Sequence, residues 1–348
     1  MGSKPTDKNT DYLVFISVMA AIAVLILHTN GCFWWFDPAA TYWKSANIIE
    51  CIFYFPVPMF FMSSGITLMD FFDRYSLKEY FIRRARKTVI PFLAWSLIGV
   101  VEKILIGQLS LESVNVRFLY QGITGTSIVS FYWFFSQLFI LYLSLPLFAA
   151  VRKDKRKIVF TYLVIVGFIL NILIPFIKTV TGSDLNTPYT VTVVSGVLIW
   201  VPLGWLLHNC KIEKVYKAYV YLLGVLGLLL HIIGTYEVSM QAGEVVGTYK
   251  GYMNVPGLLY SVAMFVLMKD IGTHIMKRTT ADYFRWIGNY TLPIYLMQFI
   301  LLDLVAVRTN IDQTSILYRL GGPFIFIPII ILATWCLRKI PVIREIVP

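Results

Sequence analysis

Apolar segments of about 20 residues recur along the whole chain, and no other sequence feature constrains the fold as strongly. A helix of about 20 residues crosses the roughly 30 Å of hydrocarbon in a bilayer. Hydrophobic residues make up 58% of the chain and charged residues 14%, which is more apolar surface than a soluble core can bury. The runs do not alternate polar with apolar residues, so the spanning elements are helices rather than strands. We therefore predict an all-α polytopic membrane protein.

Ten such segments lie between short polar loops, over residues 12–33, 46–70, 89–108, 129–150, 158–178, 191–209, 217–236, 253–269, 286–306 and 317–337. If the N-terminus is cytoplasmic, the inner segments carry 23 of the chain's 30 Lys and Arg residues. This asymmetry predicts that both termini are cytoplasmic. It also explains the net charge of +11, so nucleic-acid binding is not indicated. Residues 1–11 lack a hydrophobic core, so we expect no cleavable signal peptide, and we expect one membrane domain over 1–348.

The sequence lacks the motifs of several common enzyme classes. No HExxH, CxxC, GxSxG or Walker-type glycine loop is present, so zinc hydrolysis, a serine nucleophile elbow and ATP hydrolysis have no support, and no metal or redox cofactor is indicated. The four cysteines, Cys32, Cys51, Cys210 and Cys336, show no metal-ligand spacing. We interpret them as packing residues and leave open a disulfide between Cys32 and Cys51.

A dense group of cations ends the inner segment that follows the second span. Ser76 and Glu79 have the spacing of a capping box and predict the start of a short helix. The cations follow it and are Arg83, Arg84, Arg86 and Lys87. Ordinary positive charge on cytoplasmic loops explains their sign. The density of arginine also fits a phosphate-bearing ligand, because a guanidinium binds phosphate through two parallel hydrogen bonds.

Several polar side chains fall in the outer half of the predicted membrane. A helical rise of 1.5 Å per residue places His28 roughly 25 Å above the inner face, Glu102 and Lys103 about 17 Å, Gln298 about 18 Å and Asp303 about 26 Å, with Glu50 about one turn in from the outside. These depths predict a polar cavity open to the outside. An imidazole oriented by a carboxylate can act as a general base or accept an acyl group, so we predict His28, Glu50 and Glu102 as catalytic residues. The alternative is that His28 bonds a neighbouring helix and Glu102 pairs with Lys103.

Aromatic residues concentrate in the first outer loop, where Trp34 and Trp35 follow the first span. They suit either the headgroup region of the bilayer or a platform on which a sugar ring stacks. We predict acceptor contacts for Trp34, Trp35, Gln298 and Asp303. The other histidines are weaker candidates: His208 suits an interfacial role, His274 lies in an inner loop, and His231 is a lone residue on the seventh span.

Six motifs, taken in order, carry a resemblance to a known family: Leu25–His28, Phe55–Ile66, Phe81–Trp95, Tyr132–Pro146, Ile287–Tyr295 and Leu337–Pro341. They resemble the integral-membrane acyltransferase 3 family, which includes bacterial O-acetyltransferases of sugars and polysaccharides. The resemblance implies that an acyl group, usually acetyl, passes from cytoplasmic acyl-CoA to a hydroxyl of an extracytoplasmic glycan or lipid-linked sugar at the plasma membrane. It implies that His28 is the catalytic histidine and that Arg84 and Lys87, with Arg83, meet the phosphates of CoA.

Three positions depart from that family's pattern. Ser17 replaces a basic residue eleven positions before His28, and Phe131 and Gln298 replace two histidines. Either Glu50, Glu102 or Lys103 substitutes for them, or the scaffold serves another use. That use would be a transporter or flippase for a sugar-linked lipid, or a subunit of a glycan export machine, with a sensor ranked last.

Overall fold

The computed structural model describes residues 10–183, 189–277 and 279–348. Within these ranges all regular structure is helical, and nine helical segments are long and apolar enough to cross a membrane, judged by length and composition. The prediction of an all-α, multi-pass membrane protein is confirmed. The side of the membrane on which each terminus lies stays a prediction. The expectation about the first eleven residues falls mostly outside the described ranges.

Fifteen α-helices are described in these ranges. They are α1 (Tyr12–Thr29), α2 (Thr41–Ile52), α3 (Pro56–Leu68), α4 (Leu77–Arg84), α5 (Ile90–Leu105), α6 (Val116–Thr124), α7 (Trp133–Ala149), α8 (Arg156–Gly167), α9 (Ile174–Thr181), α10 (Trp200–Asn209), α11 (Lys214–Ala242), α12 (Val255–Ile275), α13 (Ala281–Gly288), α14 (Thr291–Arg308) and α15 (Gly322–Leu337). Nine of the ten predicted spans correspond to the nine long segments, and the sixth is a shorter apolar helix, Gly196–Asn209.

The helices differ from uniform spans at two places. The second span is not one helix, because residues 53–55 are non-helical between α2 and α3, directly before Pro56. Pro56 begins α3 and has no N–H to donate to the carbonyl oxygen of Ile52 four residues earlier, which favours a break here. In the predicted inner loop 73–87 the expected short helix is present as α4, and it continues through a π-helical turn, Ala85–Val89, into α5. Such π turns occur mostly as single insertions within α-helices, frequently at functional sites.

The first compact unit comprises the described parts of Met1–Asp70 and Ser144–Gly288. Its α3 and α10 pack backbone to backbone, because a Cβ on Gly65 would lie 2.5 Å from the carbonyl oxygen of Val201 and one on Gly204 would lie 2.6 Å from Cα of Met62. Small residues that permit such close approach are typical of helix packing in membranes.

A buried arginine, Arg156, links two segments of the same unit. The guanidinium of Arg156 donates to the Asp70 carboxylate at 2.6 Å and to the carbonyl oxygens of Val151 and Ala149 at 3.0 Å. It thereby ties the start of α8 to the chain just after α3.

The second unit comprises Phe71–Leu143 and Asn289–Pro348. Tyrosine hydroxyls connect its helices: Tyr132 donates to the carbonyl oxygen of Leu296 at 2.7 Å, and Tyr295 donates to that of Phe131. The indole of Trp95 on α5 donates to the carbonyl oxygen of Ile346 at 2.8 Å. These bonds hold the turn before α7 to α14, and α5 to the C-terminal segment.

Candidate active site

The first helix ends at Thr29, one residue after His28. The next residue, Asn30, is fully buried, and its side-chain amide donates to the carbonyl oxygen of Ala46 at 2.9 Å and to Oε2 of Glu50 at 3.4 Å. Both acceptors lie on α2. The end of α1, which carries the half-buried His28, is therefore fastened to α2 two residues beyond the imidazole.

The other oxygen of Glu50 belongs to a buried ion pair. Its Oε1 lies 3.1 Å from Nζ of Lys250, and the two side chains are only 5% and 4% exposed. Lys250 comes from the segment between α11 and α12. Two charges taken out of water this far are tolerated when geometry and further hydrogen bonds compensate them, and Asn30 supplies one such bond.

Three aromatic rings surround the Lys250 ammonium. Its Nζ lies 4.0 Å from the ring centre of Tyr54, 4.7 Å from that of Trp34 and 5.2 Å from that of Phe33. Ring faces attract a cation, and more strongly where water is excluded. Burial disfavours the charged ammonium, but the Glu50 carboxylate and Tyr54 outweigh burial and raise the pKa of Lys250 above its ordinary value. Lys250 is therefore charged at neutral pH.

The break in the second span places Tyr54 beside Lys250. We call the group around this ammonium the Lys250 cluster, and its members are Asn30, Phe33, Trp34, Glu50, Tyr54, His231 and Lys250. The carbonyl oxygen of Ile52, freed at the break, accepts a hydrogen bond from the Tyr260 hydroxyl at 2.6 Å. Tyr54 stacks on Tyr252 with parallel rings 4.1 Å apart, and its ring lies 5.4 Å from the imidazole of His231. Non-helical backbone at membrane depth is tolerated only where protein buries it or it lines a water-filled cavity, as the Tyr260 bond illustrates here.

His231 lies deeper in the cluster than the sequence suggested. It is fully buried on α11, and neither ring nitrogen has a hydrogen-bond partner among the described residues. The Cys51 thiol donates a weak hydrogen bond to the backbone carbonyl oxygen of His231, with Sγ and the oxygen 3.5 Å apart. Burying an imidazole without partners is costly, so this position is a polar defect in an apolar helix.

Cys32 and Cys51 do not form the disulfide that the sequence left open. All four cysteines are free thiols, and Cys32 packs in an apolar cluster with Phe33, Trp43 and Ala46.

The remaining predicted catalytic residue lies in the second unit. Glu102 is buried on α5, and within the described ranges neither carboxylate oxygen has a hydrogen-bond partner. Asp303 and Lys103 act on it electrostatically, but Lys103 donates its hydrogen bond to Gln108 at 3.2 Å. Gln298 is buried on α14 and donates to the carbonyl oxygen of Tyr295 at 3.1 Å. Glu102, Gln298 and Asp303 thus belong to a different unit from His28 and Glu50.

The predicted basic segment starts as a capped helix. The N–H of Glu79 donates to Oγ of Ser76 at 3.3 Å, which confirms the cap, but the Glu79 carboxylate turns to Arg83 at 2.6 Å instead of closing the capping box. The Arg84 guanidinium lies 5.7 Å from the ring centre of Tyr142. Arg86 and Lys87 are exposed in the π-helical turn. Arg83 is also exposed, so three of the four cations face outward from the helix.

Nearly the whole chain matches one protein family. The family model Acyl_transf_3, described as an acyltransferase domain, matches residues 12–338, nearly the whole chain. The chain belongs to this acyltransferase family. No curated protein and no solved structure matches it. Membership in the family indicates a membrane acyltransferase, and the matched range includes every residue of the Lys250 cluster and of the basic segment.

The structure shows a hydrogen bond at two of the positions that depart from the family's pattern, Ser17 and Phe131. The Ser17 hydroxyl donates to the carbonyl oxygen of Leu13 at 2.8 Å, one turn back in its own helix. The carbonyl oxygen of Phe131 accepts from the Tyr295 hydroxyl. Lys250, by contrast, is a buried cation that the sequence did not single out. The only signal for it was a lysine flanked by the aromatic residues Tyr249 and Tyr252 in an outer loop.

Proposed function

We propose that this membrane acyltransferase moves an acyl group, most simply acetyl, from cytoplasmic acyl-CoA to a hydroxyl of an extracytoplasmic glycan or lipid-linked sugar. The observation that carries the proposal is the family match over residues 12–338, which contains His28 at an end of α1 that is held by the buried Asn30, Glu50 and Lys250. We place the protein in the plasma membrane with both termini cytoplasmic, as the distribution of Lys and Arg favours.

His28 is the proposed base. The hydroxyl oxygen of the acceptor forms a bond to the thioester carbonyl carbon, the carbon–sulfur bond breaks, and CoA leaves as its thiol. An imidazole suits the proton transfer because its ordinary pKa lies near 6.5, so it can take the hydroxyl proton and return it to the departing sulfur. Glu50 supports this step indirectly, since its carboxylate is already neutralised by Lys250 and hydrogen-bonded to Asn30.

The proposed donor contacts are the cations of the basic segment. Arg83, Arg84, Arg86 and Lys87 would bind the phosphates of acyl-CoA, because guanidinium groups match phosphate oxygens in pairs. For the acceptor, Trp34 and Trp35 are 60% and 51% exposed and offer indole faces on which a sugar can stack. Gln298 and Asp303 remain proposed acceptor contacts.

Labelled acetyl transfer tests the function. Membranes containing the protein should bind acyl-CoA and transfer label from acetyl-CoA to glycan or lipid-linked sugar. His28→Ala should abolish transfer and leave acyl-CoA binding and the melting midpoint close to those of the wild type. His274→Ala, which changes an exposed histidine, is the matched control and should transfer normally. Wild-type membranes that neither bind acyl-CoA nor transfer label would contradict the proposal.

A second candidate is a non-catalytic transporter or flippase for a sugar-linked lipid. The residues Ser17 and Phe131 favour it, because neither position supplies the basic residue or the histidine typical of the family. Acyl-CoA binding separates the two functions. A flippase would move a labelled lipid-linked sugar across proteoliposomes without acyl-CoA, and His28→Ala would not slow that movement.

A further inference from the structure

Lys250 connects three consecutive parts of the first unit. Its ammonium pairs with Glu50 on α2, lies over Trp34 in the turn that follows α1, and lies over Tyr54 in the break between α2 and α3. Through Glu50 it also reaches Asn30, which caps α1. Such a convergence on one buried side chain means that moving Lys250 disturbs all three parts.

The segment that carries Lys250 is itself held at both ends. At its start the N–H of Val246 donates to Oγ of Ser239 at 3.0 Å. At its end Asn254 caps α12 by accepting from the N–H of Gly257 at 2.9 Å and donates to the carbonyl oxygen of Thr248 at 3.2 Å. A lysine on a segment fixed in this way is pre-organised, so the position of its ammonium is set before any ligand binds.

Stability alone does not account for the ion pair. Replacing a buried pair with apolar residues of similar volume is often neutral or stabilising, whereas removing one partner leaves an uncompensated buried charge. What the pair does provide is a fixed direction for the carboxylate, because Oε1 of Glu50 lies 3.1 Å from Nζ of Lys250 while Oε2 accepts from the Asn30 amide at 3.4 Å.

We propose that Lys250 is a positioning residue for acyl transfer: through Glu50 and Asn30 it fixes the end of α1 and hence the direction of the His28 imidazole. The proposal rests on the proposed function, in which His28 acts on the acceptor hydroxyl. Lys250 itself touches no reacting atom. Small misplacements of a catalytic group are expensive, since about 1 Å can cost roughly a hundredfold in rate.

Kinetics of three variants test the proposal. Lys250→Met should lower kcat by roughly 10- to 100-fold with the KM for acyl-CoA within about twofold of the wild type. Lys250→Arg keeps the charge and should retain more of kcat than Lys250→Met. The double variant Glu50→Leu with Lys250→Met should recover the melting midpoint, because no lone charge is buried, and should keep a low kcat. A double variant with wild-type kcat would overturn the proposal.

Lys217→Met is the matched control. Lys217 on α11 makes an ion pair with Asp270 on α12 at 2.6 Å, but that pair is partly exposed and lies at the end of α11 far from Lys250. The kcat of Lys217→Met should equal that of the wild type. An equal loss of kcat in Lys217→Met and Lys250→Met would show general loosening of α11 and α12 and overturn a specific role for Lys250.

A chemical readout separates this proposal from the proposed function. In a His28→Cys variant that also carries Cys210→Ser and Cys336→Ser, a water-soluble maleimide modifies the thiol at position 28 at a measurable rate. Adding Lys250→Met should change that rate several-fold, whether or not the wild type transfers acyl groups. An unchanged rate overturns the positioning role, and a wild type without transfer overturns the proposed function alone.

Discussion

Substitution of Gly204 by alanine would force apart α3 and α10, which pack backbone to backbone in the first unit. A Cβ at this position would lie 2.6 Å from both Cα and the carbonyl oxygen of Met62. Ordinary contact begins at 3.4 Å, so α3 and α10 would have to separate by about 1 Å. Since the obstructing atoms are backbone, no side-chain rotation relieves the overlap.

The magnitude follows from two opposing effects. Overpacking costs roughly 1–3 kcal/mol, and a backbone obstruction places Gly204→Ala near 3 kcal/mol. Alanine is favoured over glycine inside a helix by about 1 kcal/mol. The overlap outweighs the propensity, and the net loss is about 2 kcal/mol. At about 2–4 °C for each kcal/mol, the melting midpoint should fall by roughly 4–8 °C.

Fluorescence-detected melting of the purified protein in detergent measures this change. Gly321→Ala is the control, because the added Cβ would meet only a side-chain atom of Leu317, at 3.5 Å, which is ordinary contact. Gly65→Ala should resemble Gly204→Ala, and the double variant should lose less than the sum, because one separation relieves both overlaps. A Gly204→Ala variant that melts at or above the wild type would refute backbone contact between α3 and α10.

Two further predictions concern charged residues of the first unit. Arg156→Met should lower the free energy of unfolding by about 3 kcal/mol, because it leaves buried carbonyl oxygens without a donor and breaks the ion pair with Asp70. Arg152→Met breaks only an exposed ion pair, so in the same melting assay it should lower the free energy of unfolding by less than about 1 kcal/mol. Lys250 has a raised pKa, so its contribution to stability is fully present below its ordinary pKa of 10.5 and is lost as pH rises through the higher folded value. The difference in melting midpoint between the wild type and Lys250→Met should therefore stay constant from about pH 6 to about pH 9 and shrink above about pH 10.5, and a difference that shrank near neutral pH would contradict a charged Lys250.

The spans could be predicted from the sequence because hydropathy is a local property. Each apolar run is long enough to be recognised as a membrane span, and among the described residues only the span at Gly196–Asn209 is shorter than a full crossing. The break at residues 53–55 was not predicted because Phe53, Tyr54 and Phe55 are as apolar as a helix in lipid. The available signal was the following Pro56, which has no N–H to donate to the preceding turn. Helix interruption depends on backbone geometry, which a hydropathy pattern does not report.

The site could be predicted in part. His28 and Glu50 are predicted as catalytic residues because ionisable groups are rare at membrane depth, and their roles stay predictions. The partner of Glu50 was not predicted, because Lys250 lies far along the chain in a loop, where a lysine looks like any solvated charge. His231 was recognised as a lone histidine, but its place beside Tyr54 depends on how α11 packs against the broken span. Pairings of this kind arise from tertiary structure, and spacing along one sequence does not encode them.

Several destabilising features occur together around Lys250. The Lys250 cluster combines a broken transmembrane helix, two buried charges and a buried imidazole without partners among the described residues. Each of these opposes stability, and an unbroken apolar helix with apolar neighbours would avoid all three. Sites where local rules fail together are expected to be functional or strained. Because the cluster also fastens the end of α1 next to His28, these departures from the most stable sequence lie beside the residue that we propose as the base in acyl transfer.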